Sequence, residues 1–122
     1  MESARGRCGM GAPAAGTVVL VPFPFSDLSQ AKLRPALVLV DAGRDDWILC
    51  QITSSPYADP RAIQLTDDDF LRGSLRTISY VRPGKLFTAN RDLIVAQVGT
   101  LTDDAFRRVL DAIVDLFGGR PS

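Results

Sequence analysis

Arg34, the hydroxyl run Thr53-Ser54-Ser55, and the basic pair Arg82 and Lys85 are the residues whose types and spacing could do chemistry. A phosphate is the group they suit. Arginine presents five donors in a fixed fork and keeps its charge, which matches a phosphate or the oxyanion of a phosphorane. Arg34 stands before Pro35, shortly after a polar stretch holding Asp27, Ser29 and Gln30. The 122-residue chain has no histidine, which excludes the Ser-His-Asp triad, the Cys-His dyad and His-ligated zinc. Each candidate also has an ordinary role. A strand-edge arginine commonly pairs with a surface carboxylate, and a Thr-Ser-Ser run starts loops through side-chain to backbone hydrogen bonds. Turn arginines and lysines are mostly solvated. The run Asp67-Asp68-Asp69 suggests a divalent metal, but consecutive helical positions point about 100° apart, so helix capping is the better reading. No metal and no cofactor is expected.

The elements of the chain must bring these groups together. Residues 17–21 are a β-branched run stopped by Pro22 and Pro24, and read as a strand buried on both faces. Residues 22–32 form a loop. Arg34-Pro35 opens a second strand over 36–40, where a first-position proline removes no ladder hydrogen bond. A turn around Gly43 leads to a third strand, 47–53. In it Ile48, Cys50 and Ile52 share one face, with Trp47, Leu49, Gln51 and Thr53 on the other. Paired as a hairpin with arms of equal length, these two strands set Arg34 opposite Thr53 at their open end.

A strand over 62–65 precedes a short helix capped by Thr66 and ended by Gly73. Strands at 77–81 and 93–98 follow, with residues 82–85 turning between elements. Thr102 caps one long helix, with Asp103 and Asp104 at its positive end and Gly118-Gly119 terminating it. Its stripe of Phe106, Val109, Leu110, Ile113 and Phe117 faces a core or an interface, while Arg107 and Arg108 reach Asp111 on the solvated side. Five or six short strands and a late helix make the fold class mainly β, a small barrel with a C-terminal helix and a short internal one.

Composition bounds the chain to one domain. At 46% apolar and 23% charged it is globular, and no apolar run approaches the ~18–20 residues of a membrane span, so no membrane contact is expected. Fourteen Lys+Arg balance fourteen Asp+Glu, so any site for a polyanion must be local. The two cysteines, Cys8 and Cys50, are too few for a four-thiolate metal site; Cys50 lies in an apolar run and reads as a buried small hydrophobe. Residues 1–15 read as a flexible tail without a signal-peptide core, 16–118 as the domain, and 119–122 as a short C-terminal tail. A reducing cytoplasm fits.

Several blocks, in order, resemble the MazF/PemK-type toxins. They are residues 16–25, then Lys32-Leu33-Arg34-Pro35-Ala36, Gln51-Ile52-Thr53-Ser54, residues 79–88 with Arg82-Pro83-Gly84-Lys85, and Gly99-Thr100-Leu101. The similarity spans residues 16–117, and its later blocks point to the PemK-like branch. The resemblance implies an SH3-like β-barrel that acts as a homodimer in the cytoplasm. It further implies a small antitoxin partner, with the pair binding DNA, and metal-independent cleavage of single-stranded RNA through a 2′,3′-cyclic phosphate. By resemblance Arg34 and Thr53 are catalytic, and Arg82 matches a third functional arginine of the PemK branch. Lys85, Asp27, Ser29, Gln30 and Ser54 are assigned to substrate binding.

The chain also departs from the family pattern. Some relatives carry a glutamate five residues before the arginine, where Ser29 stands here. The early-loop histidine of the PemK branch has no counterpart, and its aspartate two residues after the arginine is Gly84. Asp27 is the nearest carboxylate to replace them. Two rivals follow: a gyrase poison on the same barrel, like CcdB, and a decayed barrel that binds RNA or antitoxin without turnover. The helix end Leu116-Phe117-Gly118-Gly119 argues against the first.

Overall fold

The computed structural model describes residues 13–23, 32–55 and 59–118. Asp27, Ser29 and Gln30, together with most of the N-terminal tail and all of the C-terminal one, lie outside the described residues. Seven strands are found among those described: β1 (Thr17–Phe23), β2 (Lys32–Gly43), β3 (Asp46–Thr53), β4 (Ile63–Leu65), β5 (Phe70–Gly73), β6 (Ser79–Asn90) and β7 (Ala96–Leu101). One long helix, α1 (Asp103–Gly118), follows them. The strands form a single antiparallel sheet in the order β4-β6-β3-β2-β1-β7-β5. Register shifts interrupt four of its six pairings, and each such bulge bends and twists a strand, so the sheet curls into a half-barrel.

Both faces of the curled sheet are apolar. Val18, Leu37, Cys50 and Ile52 line the face that α1 covers with Ala105, Val109 and Ile113. Val19, Val21, Ala36, Val38 and Leu49 line the other, flanked by Trp47 and Phe87. The alternation expected for β3 is found, and β1 is buried on both sides. The helix begins where expected, with Thr102 Oγ1 accepting from the Ala105 N–H at 3.2 Å. Its apolar stripe divides, because Val109 and Ile113 enter the core while Leu110, Val114 and Phe117 are 37%, 66% and 71% exposed. Arg108 pairs with Asp69.

Four elements differ from the sequence expectation. The strand expected over 93–98 lies at Ala96–Leu101, because a 3₁₀ turn at Arg91–Leu93, capped by the Asn90 side chain, comes before it. The short internal helix is a single 3₁₀ turn, Asp67–Asp69, in which the Thr66 N–H donates to Asp69 Oδ2 at 2.9 Å. The capping signal is real, but Phe70–Gly73 pairs with β7 and becomes strand β5, so Gly73 ends a strand. Residues 82–85 are not a turn between elements: β6 runs through them as one strand, and the β3–β6 register passes from Cys50↔Leu86 to Ile52↔Val81, so they form a wide bulge around the buried Pro83. Pro35 is the fourth residue of β2 rather than its first.

Cys50 sits in the core with no exposed surface, and its Sγ–H donates to the Arg82 carbonyl at 2.8 Å. Burial first, and the negative charge of Asp59 second, push its thiol up from 9.0 to about 12. The unfolded thiol ionises near its ordinary value, so between roughly pH 9 and 12 the unfolded chain binds fewer protons than the folded one. Stability therefore falls as pH rises through that window, by at most about 1.4 kcal/mol per pH unit from this group. Urea midpoints for wild type and Cys50→Ala at about pH 8 and 10 check this. Wild type should lose more stability than the variant, and equal losses would refute the assignment.

Candidate active site

The β2–β3 hairpin builds the site. Its paired register ends at Ala36↔Gln51, one residue short of Pro35, which has no N–H to donate. Carried two residues further, that register sets Arg34 opposite Thr53. A cleft of about 350 Å³ opens there, lined from the hairpin by Arg34, Pro35, Gln51, Ile52, Thr53 and Ser54. Leu75, Arg76, Thr77 and Ser79 close it from the segment entering β6. Two guanidiniums and four hydroxyls thus line one cleft, and no carboxylate lines it among the described residues. The hydroxyls are not equivalent. Thr53 Oγ1 accepts from the Ser55 N–H at 3.1 Å, which anchors the side chain and leaves its own hydrogen to donate into the cleft. Ser79 is 4% exposed and spends its hydrogen on the Thr77 carbonyl at 3.0 Å, pinning the segment that carries Thr77. The ordinary role of a Thr-Ser-Ser run is also present here, and it serves to hold Thr53.

Arg34, Thr53 and Ser54 come together; Arg82 and Lys85 do not line this cleft. The Arg82 Nε lies 3.7 Å from Asp59 Oδ2, and both side chains are largely buried. Lys85 is exposed on the β6 bulge. Arg76, Thr77 and Ser79 escaped the sequence reading: Arg76 lies in a stretch without periodicity, and nothing local in the strand expected over 77–81 shows that Thr77 and Ser79 meet the β2–β3 hairpin. Among the described residues no group of three or more His, Cys, Asp or Glu is placed to hold a metal ion.

Residues 14–117 match the family described as PemK-like, MazF-like toxin of type II toxin-antitoxin systems. The chain belongs to that family. Solved structures agree on the fold. An endoribonuclease from Mycobacterial species in complex with its cognate antitoxin superposes with a TM-score of 0.69 at 17% identity, over 93% of this chain and all of the other. A MazE-MazF complex from Deinococcus radiodurans gives 0.72 at 21% identity, over 90% and 99% of the two chains. MazF alone from the same organism gives 0.68 at 24%, over 88% and 98%. A comparison with curated protein sequences gives no significant match. Within the PemK-like family, then, this chain is a curled β-sheet toxin whose arginine-and-hydroxyl cleft lies at the open end of its central hairpin.

Proposed function

We propose that this toxin is an endoribonuclease that cleaves single-stranded RNA by transesterification. The observation that carries the reading is the cleft itself, with two arginines and four hydroxyls and no described carboxylate to repel a phosphate. The 2′-oxygen attacks phosphorus, the bond to the 5′-oxygen breaks, and the products are a 2′,3′-cyclic phosphate and a 5′-hydroxyl. Arg34 stabilises the charge that grows on the phosphorane oxygens. The departing 5′-oxygen takes up a proton from solvent, while Arg34 keeps its charge beside it. Thr53 donates its hydroxyl hydrogen to a phosphate oxygen. Asp27 is assigned the 2′-hydroxyl proton. Ser29, Gln30, Ser54, Arg82 and Lys85 are assigned to the RNA around this centre.

Similar structures, an endoribonuclease with its cognate antitoxin and a MazE-MazF complex, support an antitoxin as the protein partner of this chain. An acidic, partly apolar segment laid over Arg34 would compete with RNA. The exposed face of Leu110, Val114 and Phe117, together with Leu33 at 50% exposure, supports self-association as a homodimer. Among the described residues no helix is long and apolar enough to cross a membrane, and the proposed place of action is the cytoplasm, where the RNA is.

Incubating the purified chain with a long mRNA, with and without EDTA, and mapping the fragment ends tests the reaction. Cyclic phosphate and 5′-hydroxyl ends are expected in both conditions, and intact mRNA in both would refute the reading. Thr53→Val, close in shape but without a donor, should slow cleavage on the order of tenfold or more, the worth of one charge-assisted hydrogen bond of about 1.5–3 kcal/mol. Thr53→Ser should keep most of the rate. Equal rates for the Val and Ser variants would remove Thr53 from the mechanism.

A further inference from the structure

A second cavity, of about 310 Å³, adjoins the cleft and shares Leu75, Arg76 and Thr77 with it. Arg76 therefore stands on the ridge between the two. It is exposed, and no ion pair among the described residues holds it. The two hollows differ in character. The cleft is cationic, whereas the second cavity has an apolar floor of Leu65, Phe70 and Leu75 and carboxylates at its rim, Asp67 and Asp68. An acidic rim over an apolar floor rejects a phosphate. It accepts the flat face of a base, and its carboxylates accept hydrogen bonds from an exocyclic amino group, as carboxylates do with cytosine. The volume is at the small end for a ligand site, so it takes one base rather than a folded partner.

We propose that Arg76 binds the RNA phosphate next to the scissile one, so that the flanking base enters the second cavity and is selected for an amino group. This rests on the endoribonuclease reading and deepens it by assigning a specificity subsite. Arg34 and Arg76 then hold successive phosphates across one cleft, and the backbone between them turns the flanking base over the ridge. Uracil, which has no exocyclic amino group, is disfavoured at that position.

Binding of a fluorescein-labelled 2′-O-methyl RNA oligonucleotide, which cannot be cleaved, tests the assignment by anisotropy over about 50–200 mM salt. Arg76→Gln should weaken binding several-fold at the lowest salt. It should also make the slope of log affinity against log salt shallower by about 0.7, the loss of one single-strand phosphate contact. Arg76→Lys, which keeps the charge, should restore the slope. The Asp67→Asn/Asp68→Asn pair should leave the salt slope unchanged and erase discrimination between cytosine and uracil flanking an unmodified cleavage site. Unchanged affinity and slope in Arg76→Gln, with wild type still cleaving RNA, would overturn the inference alone. A wild-type chain that neither binds the oligonucleotide nor cleaves unmodified RNA would overturn the endoribonuclease reading with it. Weakened binding of an acidic peptide by Arg76→Gln, with RNA binding intact, would reassign Arg76 to a protein partner.

Discussion

Replacing Arg34 with alanine is expected to slow RNA cleavage on the order of 10²–10³-fold and leave the fold intact. Arg34 belongs to the open end of β2, where its backbone pairs with Val21 and its side chain is exposed, so the ladder does not depend on the guanidinium. Removing an exposed side chain of this kind typically moves stability by no more than about 0.5 kcal/mol. In the transition state the charge on the phosphoryl oxygens rises, and a fixed cation there is worth more than in the bound substrate. The loss should therefore fall mainly on kcat, with a smaller rise in KM. Arg34→Lys keeps a charge but not the planar fork, and should recover only part of the rate. Single-turnover cleavage of a short RNA, with circular dichroism as the folding control, measures all three proteins. A folded Arg34→Ala variant within threefold of wild type would mean that another group stabilises the phosphorane, and Arg76 is the cation sharing that cleft.

The parts of this site that sequence reasoning recovers are those built by local pairing. The β2–β3 hairpin is fixed by a turn and two runs of alternating apolar residues, so counting back from the turn suffices to place Arg34 near Thr53. Alternation in β3 is equally plain because its two faces enter two cores. The rest depends on contacts distant in the chain. Pro83-Gly84 has the composition of a turn, yet Pro83 is buried and the strand continues through a bulge, because the Arg82 carbonyl accepts from Cys50, thirty-two residues away. Thr66 and the three aspartates carry a genuine helix-start signal, but β5 pairs with β7 after one turn, and a ladder outweighs a weak local preference. Arg108 lies within reach of Asp111 along its helix, but it bridges to Asp69 of the 3₁₀ turn. Arg76 has no pattern of its own. Its place is set by the ends of β5 and β6, which no local rule predicts.

That dependence makes Gly73 a remote control point for the site, and Gly73→Ala should destabilise the chain by roughly 2–5 kcal/mol. Gly73 ends β5 with φ at +67°, and it pairs with Gly99 of β7. A Cβ placed there would lie 2.2 Å from the Val98 carbonyl oxygen and 2.7 Å from the Gly99 Cα. Both are backbone atoms of a paired strand, so no rotamer change relieves the clash and β5 must part from β7. Gly43 supplies the internal comparison. Its φ is +92°, but nothing lies within 4 Å of its would-be Cβ, so Gly43→Ala carries the left-handed strain alone, about 1–2 kcal/mol. The difference between the two variants in denaturant midpoint isolates the steric contact, and equal destabilisation would show that the strands separate freely. The consequence for chemistry follows from what comes next in the chain. The five residues after Gly73 lead into β6 and carry Leu75, Arg76 and Thr77, the wall shared by both cavities. Gly73→Ala should therefore reduce cleavage even at temperatures where the chain is still folded, and Gly43→Ala, at the far end of the hairpin, should not. If both variants cleave RNA at the wild-type rate while folded, the 74–78 wall is not needed to form the site.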